Sequence, residues 1–227
     1  MNPWGELPGD LDPVARDRID RYFALLADEC TRHNLTADPA ERWVARHLAD
    51  AFALPPQNGR FADVGAGAGF LGVLLAIRDP ALSMRLIESQ GKRARFLATV
   101  VAELGLARVV VDQRRAEACG RDPALRDVHD GVVARALAPP AVTAELVLPL
   151  VRNGGRAWLW LGSDGARALE GEVPLDRLGA RLGEVTEYRL PGDERPRFLA
   201  RIDKVARTDG RYPRRDGVPA KEPLART

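Results

Sequence analysis

Cysteine is scarce in this chain of 227 residues, and its scarcity excludes two kinds of protein. The two cysteines, Cys30 and Cys119, are far apart and do not have the spacing of a zinc site. They are also too few for the disulfide framework that stabilises small secreted domains. We therefore expect two reduced thiols in a cytoplasmic protein, and no metal centre.

Long apolar runs are missing as well. No stretch approaches the roughly 18 residues of a membrane span, and the segment from Met1 to Asp12 lacks the basic start and apolar stretch of a signal peptide. Hydrophobic residues nevertheless make up 45% of the chain and charged residues 29%, a balance typical of a globular protein with a buried core. The sequence thus predicts a soluble protein that does not bind membranes.

Lysine is the third scarce residue, because only Lys92, Lys204 and Lys221 occur among the 34 basic residues. Arginine supplies the remainder, and its planar fork suits the recognition of phosphate and guanine. Genomic base composition explains the count equally well, and the net charge is only +2. The place of each arginine in the chain is therefore more informative than the number of arginines.

Three segments of the chain differ in pattern. Residues 1–58 predict a helical N-terminal cap, because Asp12-Pro13 has the N-cap and first-turn preferences of a helix start. The stretch from Asp38 to Glu41 repeats that signal, with Glu41 placed to close a capping box. Residues 59–205 alternate short apolar strands with helices. Residues 206–227 form a basic tail whose prolines and glycines predict irregular structure.

The alternating segment predicts an α/β fold with a mainly parallel sheet covered on both faces. Its first five expected strands are Phe61 to Val64, Met84 to Ile87, Val109 to Val111, Gly131 to Ala134 and Ala157 to Leu161. The helices expected between them are Gly67 to Arg78, Lys92 to Leu104 and Val142 to Val151, the last followed by a turn at Gly154-Gly155. Two further strands, Glu184 to Leu190 and Arg197 to Val205, predict an antiparallel hairpin at the end of the sheet.

A glycine-rich loop from Asp63 to Phe70 follows the first strand. Glycines allow a backbone to approach a ligand closely, and open α/β sheets bind ligands beyond the carboxyl ends of their strands. Glu88 ends the second strand, where a carboxylate is placed to accept hydrogen bonds from ribose hydroxyls. The loop and Glu88 together predict a site for a nucleotide-like cofactor.

Two cofactors compete for this loop. The dinucleotide fingerprint occurs as Gly67, Gly69 and Gly72, but it starts inside the expected helix. The glycines nearest the strand, Gly65, Gly67 and Gly69, follow Asp63 in a form that resembles motif I of the class I methyltransferases. The terminal hairpin also resembles the last two strands of that fold. This resemblance implies a Rossmann-like, seven-stranded sheet and S-adenosylmethionine as the cofactor.

Further segments resemble one family, the glucose-inhibited division protein B family of 16S ribosomal RNA methyltransferases. They occur in the family order, as Asn34 to Ala37, Arg46-His47 followed by Asp50, Asp63 to Gly72, Lys92-Arg93-x-x-Phe96-Leu97, Arg115 to Glu117, Arg135-Ala136-x-Ala138-Pro139, and Tyr212 to Arg215 with Gly217 and Pro223-Leu224. Each segment is weak by itself, whereas their order and spacing are specific. Two residues depart from the family pattern: Leu71 replaces its proline and Leu161 its lysine.

The resemblance implies methyl transfer from S-adenosylmethionine to N7 of a guanine of 16S ribosomal RNA, guanine 527 in the family. The expected partner is that RNA or the small ribosomal subunit, and we expect a monomer. Guanine N7 carries a lone pair and no proton, so the reaction requires no general base. Arg135 follows the fourth strand, where it is expected to donate to guanine or phosphate, with a surface ion pair as the alternative.

The resemblance adds Asn34 and His47 to Arg135 as acceptor-side candidates. On the residues alone, Asn34 ends the first helix in left-handed geometry and His47 makes a local hydrogen bond. Expected cofactor contacts are Asp63, Gly65, Ala66, Gly67, Gly69, Phe70, Glu88, Ala116, Glu117 and Arg135. Expected RNA contacts are Lys92, Arg93, Arg115, Arg214 and Arg215, for which ion pairs or a solvated surface are the alternatives.

Three other functions remain open from the sequence. A methyltransferase of the same fold acting on another RNA, a protein or a small molecule is the first alternative. A non-catalytic RNA-binding relative is the second, because Leu161 removes a charge near the expected RNA or cofactor face. A dinucleotide oxidoreductase is the third.

Overall fold

The computed structural model describes residues 11–225. Most of the segment from Met1 to Asp12, on which the expectation about a signal peptide rested, lies outside the described residues, as does Arg226 of the basic tail. Within residues 11–225, no helix is long and apolar enough to cross a membrane. The same residues contain no cluster of three or more His, Cys, Asp or Glu side chains that could hold a metal ion.

Seven strands form one sheet in the order β3-β2-β1-β4-β5-β7-β6. The strands are β1 (Gly59–Val64), β2 (Leu82–Ile87), β3 (Val109–Asp112), β4 (His129–Arg135), β5 (Val151–Leu161), β6 (Ala180–Leu190) and β7 (Asp193–Lys204). The first five run parallel, and β7 pairs antiparallel with both β5 and β6. The predicted α/β fold with its terminal hairpin is therefore confirmed. The strand order reverses between β1 and β4, and ligands bind at such a switch point.

Helices cover both faces of this sheet. They are α1 (Pro13–Arg32), α2 (Ala49–Phe52), α3 (Gly72–Arg78), α4 (Gly91–Glu103), α5 (Ala116–Arg121), α6 (Pro140–Val147), α7 (Ser163–Gly171) and α8 (Val218–Lys221). Short 3-10 turns lie at Ala40–Arg42, Leu148–Leu150 and Leu175–Leu178, and a π-helical turn at Val44–Leu48 precedes α2. The sequence predicts helix starts at Asp12 and at Asp38. The first forms as expected, since the side chain of Asp12 accepts the N–H of Ala15 over 2.9 Å.

Two buried clusters correspond to the two faces, since successive strand residues point to opposite sides. On one face Phe61 packs with side chains of the N-terminal segment, α3 and α4. On the other face Ala62 packs with side chains of α5, α6 and α7. That second cluster also contains Tyr212 and Leu224, so residues 206–225 are packed against the domain. The irregular tail expected from the sequence is, in this respect, an ordered part of the core.

Several element boundaries differ from the prediction. The capping box at Asp38 does not form, because its carboxylate binds Arg46 instead. The third helix begins at Gly72 and not at Gly67, since the glycine loop continues to Leu71. The helix expected to reach Val151 ends at Val147, and Gly154-Gly155 lies within β5. Helices α5, α7 and α8 were not predicted.

Candidate cofactor and acceptor site

The glycine loop connects β1 to α3 at the switch point of the sheet. Its first two N–H groups, of Gly65 and Ala66, donate to the carbonyl of Ile87 over 2.9 and 3.1 Å, which ties the loop to the end of β2. Gly67 has a φ of +59°, and a Cβ placed on it would meet nothing closer than 3.8 Å. Gly69 has a φ of +96°, and a Cβ there would lie 2.7 Å from Val73. Gly67 therefore borders open space, whereas Gly69 serves packing.

Glu88 stands at the end of β2 beside this loop. Its side chain is buried, and its Oε2 accepts the N–H of Gly67 over 2.9 Å while Oε1 accepts that of Gln90 over 2.7 Å. Each carboxylate oxygen retains a lone pair after these bonds. The carboxylate is therefore held in one orientation and can still accept a hydroxyl group.

Asp63 lies under the loop and is 2% exposed. Burial raises the pKa of this carboxyl to about 7, against the opposing effects of the Gly72 N–H and Arg135, while Glu88 raises the pKa further. The N–H of Gly72 donates to Oδ2 over 2.8 Å, so Asp63 fixes the first residue of α3. The carboxyl group also lines the space above the loop.

Three neighbouring cavities are lined by residues at the carboxyl ends of the strands. The cap cavity, of about 340 Å³, lies between the N-terminal segment from Leu35 to Asp50 and the glycine loop. The edge cavity, of about 270 Å³, is lined by Glu88 and by Arg115 to Glu117. The hairpin cavity, of about 290 Å³, is lined by Trp160 to Gly162 together with side chains of the terminal hairpin.

Ala136 lines all three cavities. Its φ is +52°, a left-handed backbone conformation that residues other than glycine rarely adopt. Such strain is stored most often at functional sites. It turns the chain directly after β4 and places Ala136 between the three cavities.

Arg135 precedes Ala136 and is held by the N-terminal segment. Its Nη1 donates to Oδ2 of Asp50 over 2.5 Å. Asp50 is 1% exposed, and it also accepts the hydroxyl of Tyr188 on its carboxylate and the indole N–H of Trp160 on its carbonyl, the latter over 2.8 Å. The carboxylate of Asp50 thus joins the N-terminal segment to β4 and β6 and fixes the guanidinium of Arg135.

His47 lies against the same guanidinium. Its Nδ1 is 3.1 Å from Nη2 of Arg135, and because a guanidinium only donates, Nδ1 accepts and the ring proton is on Nε2. Nε2 lies 3.0 Å from Asp38 but is not aligned to hydrogen-bond with it. The ring stacks on Phe70 with centroids 3.7 Å apart. Burial, then Arg135, Arg46 and Arg197, lower the pKa of His47 to about 3, so the ring is neutral.

The structure brings most predicted cofactor residues together. Asp63, Gly65, Ala66, Gly67, Phe70 and Arg135 line the cap cavity, and Gly65, Glu88, Ala116 and Glu117 line the edge cavity. Gly69 does not line either cavity. Glu117 is itself buried: burial is the largest influence on its pKa and raises it, but hydrogen bonds from Arg115 and the Gly217 N–H outweigh burial and lower the pKa.

Other predicted residues lie elsewhere. Asn34 is exposed and lines none of the three cavities; helix α1 ends at Arg32 with an extended His33, so the left-handed asparagine cap was wrong. Lys92 and Arg215 are exposed, whereas Arg93 lines both the cap and edge cavities. Arg115 is paired with Glu117 over 2.8 Å and Arg214 with Glu145 over 2.7 Å.

Sequence reasoning missed several residues of the site. Asp38, Asp50, Tyr188, Arg197 and Ala136 border it or fix its side chains, and none was predicted to be a site residue. Asp50 and Ala136 carried a signal, since Asp50 follows Arg46-His47 and Ala136 follows Arg135 in the family pattern. Leu71 lines the cap cavity and Leu161 lines only the hairpin cavity, so the lost lysine lies away from the glycine loop.

A reversed terminal hairpin, a glycine loop after β1 and an acid at the end of β2 define a class I methyltransferase. Solved structures agree on the fold: fibrillarin of Aeropyrum pernix with bound S-adenosyl-L-methionine superimposes with a TM-score of 0.55 at 20% identity, covering 70% of this chain and 76% of fibrillarin. The 16S rRNA N2 G1207 methyltransferase of T. thermophilus, in complex with AdoMet and guanosine, gives 0.51 at 16% identity, covering 71% and 39%.

Sequence comparison identifies the family. The model of the family described as rRNA small subunit methyltransferase G matches residues 15–172. The ribosomal RNA small subunit methyltransferase G of Roseiflexus sp. is 42% identical over 220 residues, which cover 94% of each chain. The protein of that name from Carboxydothermus hydrogenoformans is 38% identical and covers 91% of this chain and 90% of its own. The chain belongs to the ribosomal RNA small subunit methyltransferase G family.

Proposed function

We propose that this chain transfers a methyl group from S-adenosylmethionine to N7 of a guanine of 16S ribosomal RNA. The observation that carries the proposal is the junction at Ala136, where a cavity beside Glu88, a cavity above Gly67 and a third cavity share one wall next to Arg135. Three neighbouring spaces of this kind suit a two-part cofactor and an acceptor base. We further propose that the protein acts in the cytoplasm, as a monomer.

The residues present fit the cofactor. Gly67 leaves open the space that a side chain would fill, and Glu88 is oriented toward the loop with lone pairs to spare. In the proposed arrangement Glu88 accepts from the ribose hydroxyls, and the backbone of Ala116 and Glu117 contacts the adenine in the edge cavity. Gly65, Ala66 and Gly67 hold the amino-acid part in the cap cavity, above Asp63. The bound cofactor supplies an electrophilic methyl group.

The acceptor side consists of groups that orient and do not exchange protons. Because guanine N7 has no proton to lose, a residue here needs only to align the lone pair, and orientation alone is worth about 7–11 kcal/mol. Arg135 is fixed by Asp50, and it supplies donors for guanine or phosphate oxygen. His47 is neutral, with a buried Nε2–H that lacks an aligned acceptor among the described residues, so it offers a single donor to the substrate.

The hairpin cavity is the proposed place for the target base. Trp160, Leu161 and Pro140 give it flat and apolar walls, and Arg135 stands at its border with the cap cavity. The described residues before 59 act as a cap that closes the site and residues 59–205 as the methyltransferase domain. Lys92 and Arg215, which are exposed and make no ion pair within residues 11–225, are proposed to contact RNA phosphates. The half-exposed Arg115 lies 3.7 Å from Asp216, the residue after Arg215, and is proposed to contribute to the same contact.

The experiment is methylation of undermethylated 30S particles by purified protein with labelled S-adenosylmethionine, followed by mapping of the modified nucleotide. We expect label at N7 of one guanine. Arg135→Met is expected to lower the rate about a hundredfold or more, because the acceptor loses its alignment. Arg152→Met is the matched control. Arg152 lies at the start of β5, pairs with Asp130 of β4, and lines none of the three cavities. Wild-type protein that leaves the particles unlabelled contradicts the proposal.

A further inference from the structure

Arg93 occupies an unusual place in the site. It is the third residue of α4, and it lines both the cap cavity and the edge cavity, as among the described residues only Gly65 and Ala136 also do. Glu88 holds the start of this helix close to the glycine loop, because its carboxylate accepts N–H groups from both Gly67 and Gln90. Arg93 therefore lies beside the place where the two parts of the proposed cofactor would join.

The arginines that share these cavities are mostly paired. Arg46 binds Asp38 over 2.7 Å, Arg135 binds Asp50 over 2.5 Å, and Arg114 binds Asp112 over 2.6 Å. Arg197 has carboxylate oxygens at 3.8 and 3.9 Å. The side chain of Arg93 makes no hydrogen bond or ion pair with any residue from 11 to 225. It is also a cation in the first turn of a helix of 13 residues, where the helix dipole disfavours positive charge.

An anion from outside the chain would give the guanidinium of Arg93 a partner and would offset its positive charge in the first turn of α4. S-adenosylmethionine has one anionic group, the carboxylate of its amino-acid part. The walls of the cap cavity carry Asp38, Asp50 and Asp63, and carboxylates there repel a further carboxylate unless a cation accompanies it. An arginine fork matches a carboxylate in shape as well as in charge.

We propose that Arg93 binds the amino-acid carboxylate of the cofactor, and that its role is cofactor retention and not RNA contact. This inference rests on the proposed function for the identity of the cofactor. It assigns to Arg93 a ligand that differs from the RNA phosphate expected for it from the sequence. It also explains why the side chain borders both cavities while its neighbour Lys92 is exposed and borders neither.

The test compares two ligands that differ in the amino-acid part. S-adenosylhomocysteine carries the carboxylate, whereas 5′-methylthioadenosine has the same nucleoside and thioether without it. Calorimetry with Arg93→Met is expected to show binding of S-adenosylhomocysteine weakened roughly tenfold to a hundredfold, as for loss of one charge-assisted hydrogen bond, with binding of 5′-methylthioadenosine within about twofold of wild type. Lys92→Met, the adjacent cation outside both cavities, is expected to leave both affinities unchanged.

Three results would overturn the inference: unchanged binding of S-adenosylhomocysteine in Arg93→Met, equal weakening of both ligands, or weakened RNA binding with a smaller salt dependence while both ligands bind normally. The last result identifies Arg93 as a phosphate contact. Arg93→Lys retains the charge without the fork and is expected to bind S-adenosylhomocysteine with intermediate affinity, and it replaces Arg93→Met if that variant does not fold. A wild-type protein that binds neither ligand contradicts the proposed function itself.

Discussion

At the scale of single residues, Asp63 combines two tasks that conflict in the absence of a ligand. It fixes the start of α3 through the N–H of Gly72, and it places a carboxyl group beneath a cavity proposed to hold a cationic cofactor. Burial raises its pKa to about 7, so the group is only partly ionised at neutral pH. A positive ligand in that cavity stabilises the ionised form and lowers the pKa.

We therefore predict that binding of S-adenosylmethionine releases a proton and strengthens as pH rises from about 6 to about 8. Calorimetry in buffers of different ionisation enthalpy measures the proton release. Asp63→Asn is the control and is expected to bind with no proton release. In the free protein the sign is opposite: because the folded pKa lies above the unfolded value, the free energy of unfolding falls as pH rises through about 7. Absence of proton release by wild-type protein contradicts the prediction.

A second prediction at this scale concerns Gly67, which has a matched partner in Gly105. Their φ angles are +59° and +60°, and a Cβ on either would meet no atom closer than 3.8 Å. Substitution of each by alanine is expected to lower the free energy of unfolding by the same amount, about 1–2 kcal/mol, from left-handed strain. Only Gly67→Ala is expected to weaken S-adenosylmethionine binding, by roughly tenfold or more, because its methyl group projects into the cavity. Denaturant titration and calorimetry measure the two effects.

Equal affinity in the two glycine variants would show that Gly67 does not approach the cofactor. A larger loss of stability in Gly67→Ala than in Gly105→Ala would show that the loop is constrained in some further way. Gly69 is unsuitable for this comparison, since a Cβ there would lie 2.7 Å from Val73 and would disturb packing.

At the scale of elements, the C-terminal segment illustrates what a local pattern does not reveal. Its prolines, glycines and arginines predict a basic, irregular tail, with a solvated tail as the alternative, and do not predict that residues 206–225 pack against the domain as they do. Arg126 donates to the carbonyls of Tyr212 and Thr208, each over 2.6 Å. Arg214 makes a fork-to-fork contact with Glu145, which is fully buried in α6. Glu145 lies 69 residues before its partner, and nothing near it in the sequence marks it as buried with a counter-ion.

Adjacent arginines of this segment are therefore expected to behave differently. Arg214→Ala leaves the carboxylate of Glu145 buried without its main partner, and we predict a loss of about 3 kcal/mol of unfolding free energy. Arg215→Ala removes an exposed side chain and is expected to change stability by less than about 0.5 kcal/mol. If Arg215 contacts RNA phosphate, Arg215→Ala is also expected to weaken binding to 30S particles, and the remaining affinity is expected to depend less steeply on salt concentration. Equal stability of the two variants in urea titrations contradicts the first part.

The elements that sequence predicted well are those that follow one local rule. Short apolar runs gave the strands, and the N-cap at Asp12 gave the start of α1. The glycine loop and Glu88 were found because both follow strands directly. The cluster around Asp50 was missed, because this carboxylate accepts from Arg135, 85 residues later, and from Tyr188, 138 residues later. Such contacts arise only when the sheet has brought its strand ends together.

At the scale of the whole molecule, the N-terminal segment and the sheet share one core. Ile19, Tyr22 and Leu26 of α1 belong to the same buried cluster as Leu74 of α3 and Leu97 of α4. The hydroxyl of Tyr22 donates to the carbonyl of Ala68 in the glycine loop over 2.8 Å. The packing therefore gives the segment before residue 59 and the sheet one common interior, and the division into a cap and a methyltransferase domain stays a proposal about function.

A shared interior predicts that the cap and the sheet unfold in one transition. Trp43 reports on the cap and Trp158 on β5, and both side chains lie in this cluster. We expect variants with a single tryptophan at each position to give the same midpoint and slope in urea, because loss of the cap exposes apolar surface on α3 and α4 that destabilises the sheet. A cap that moved independently, as a lid docked on a separate domain would, gives a Trp43 transition at lower denaturant. Such a result would also mean that Arg135 and His47 are aligned only part of the time, since both depend on contacts made by the cap.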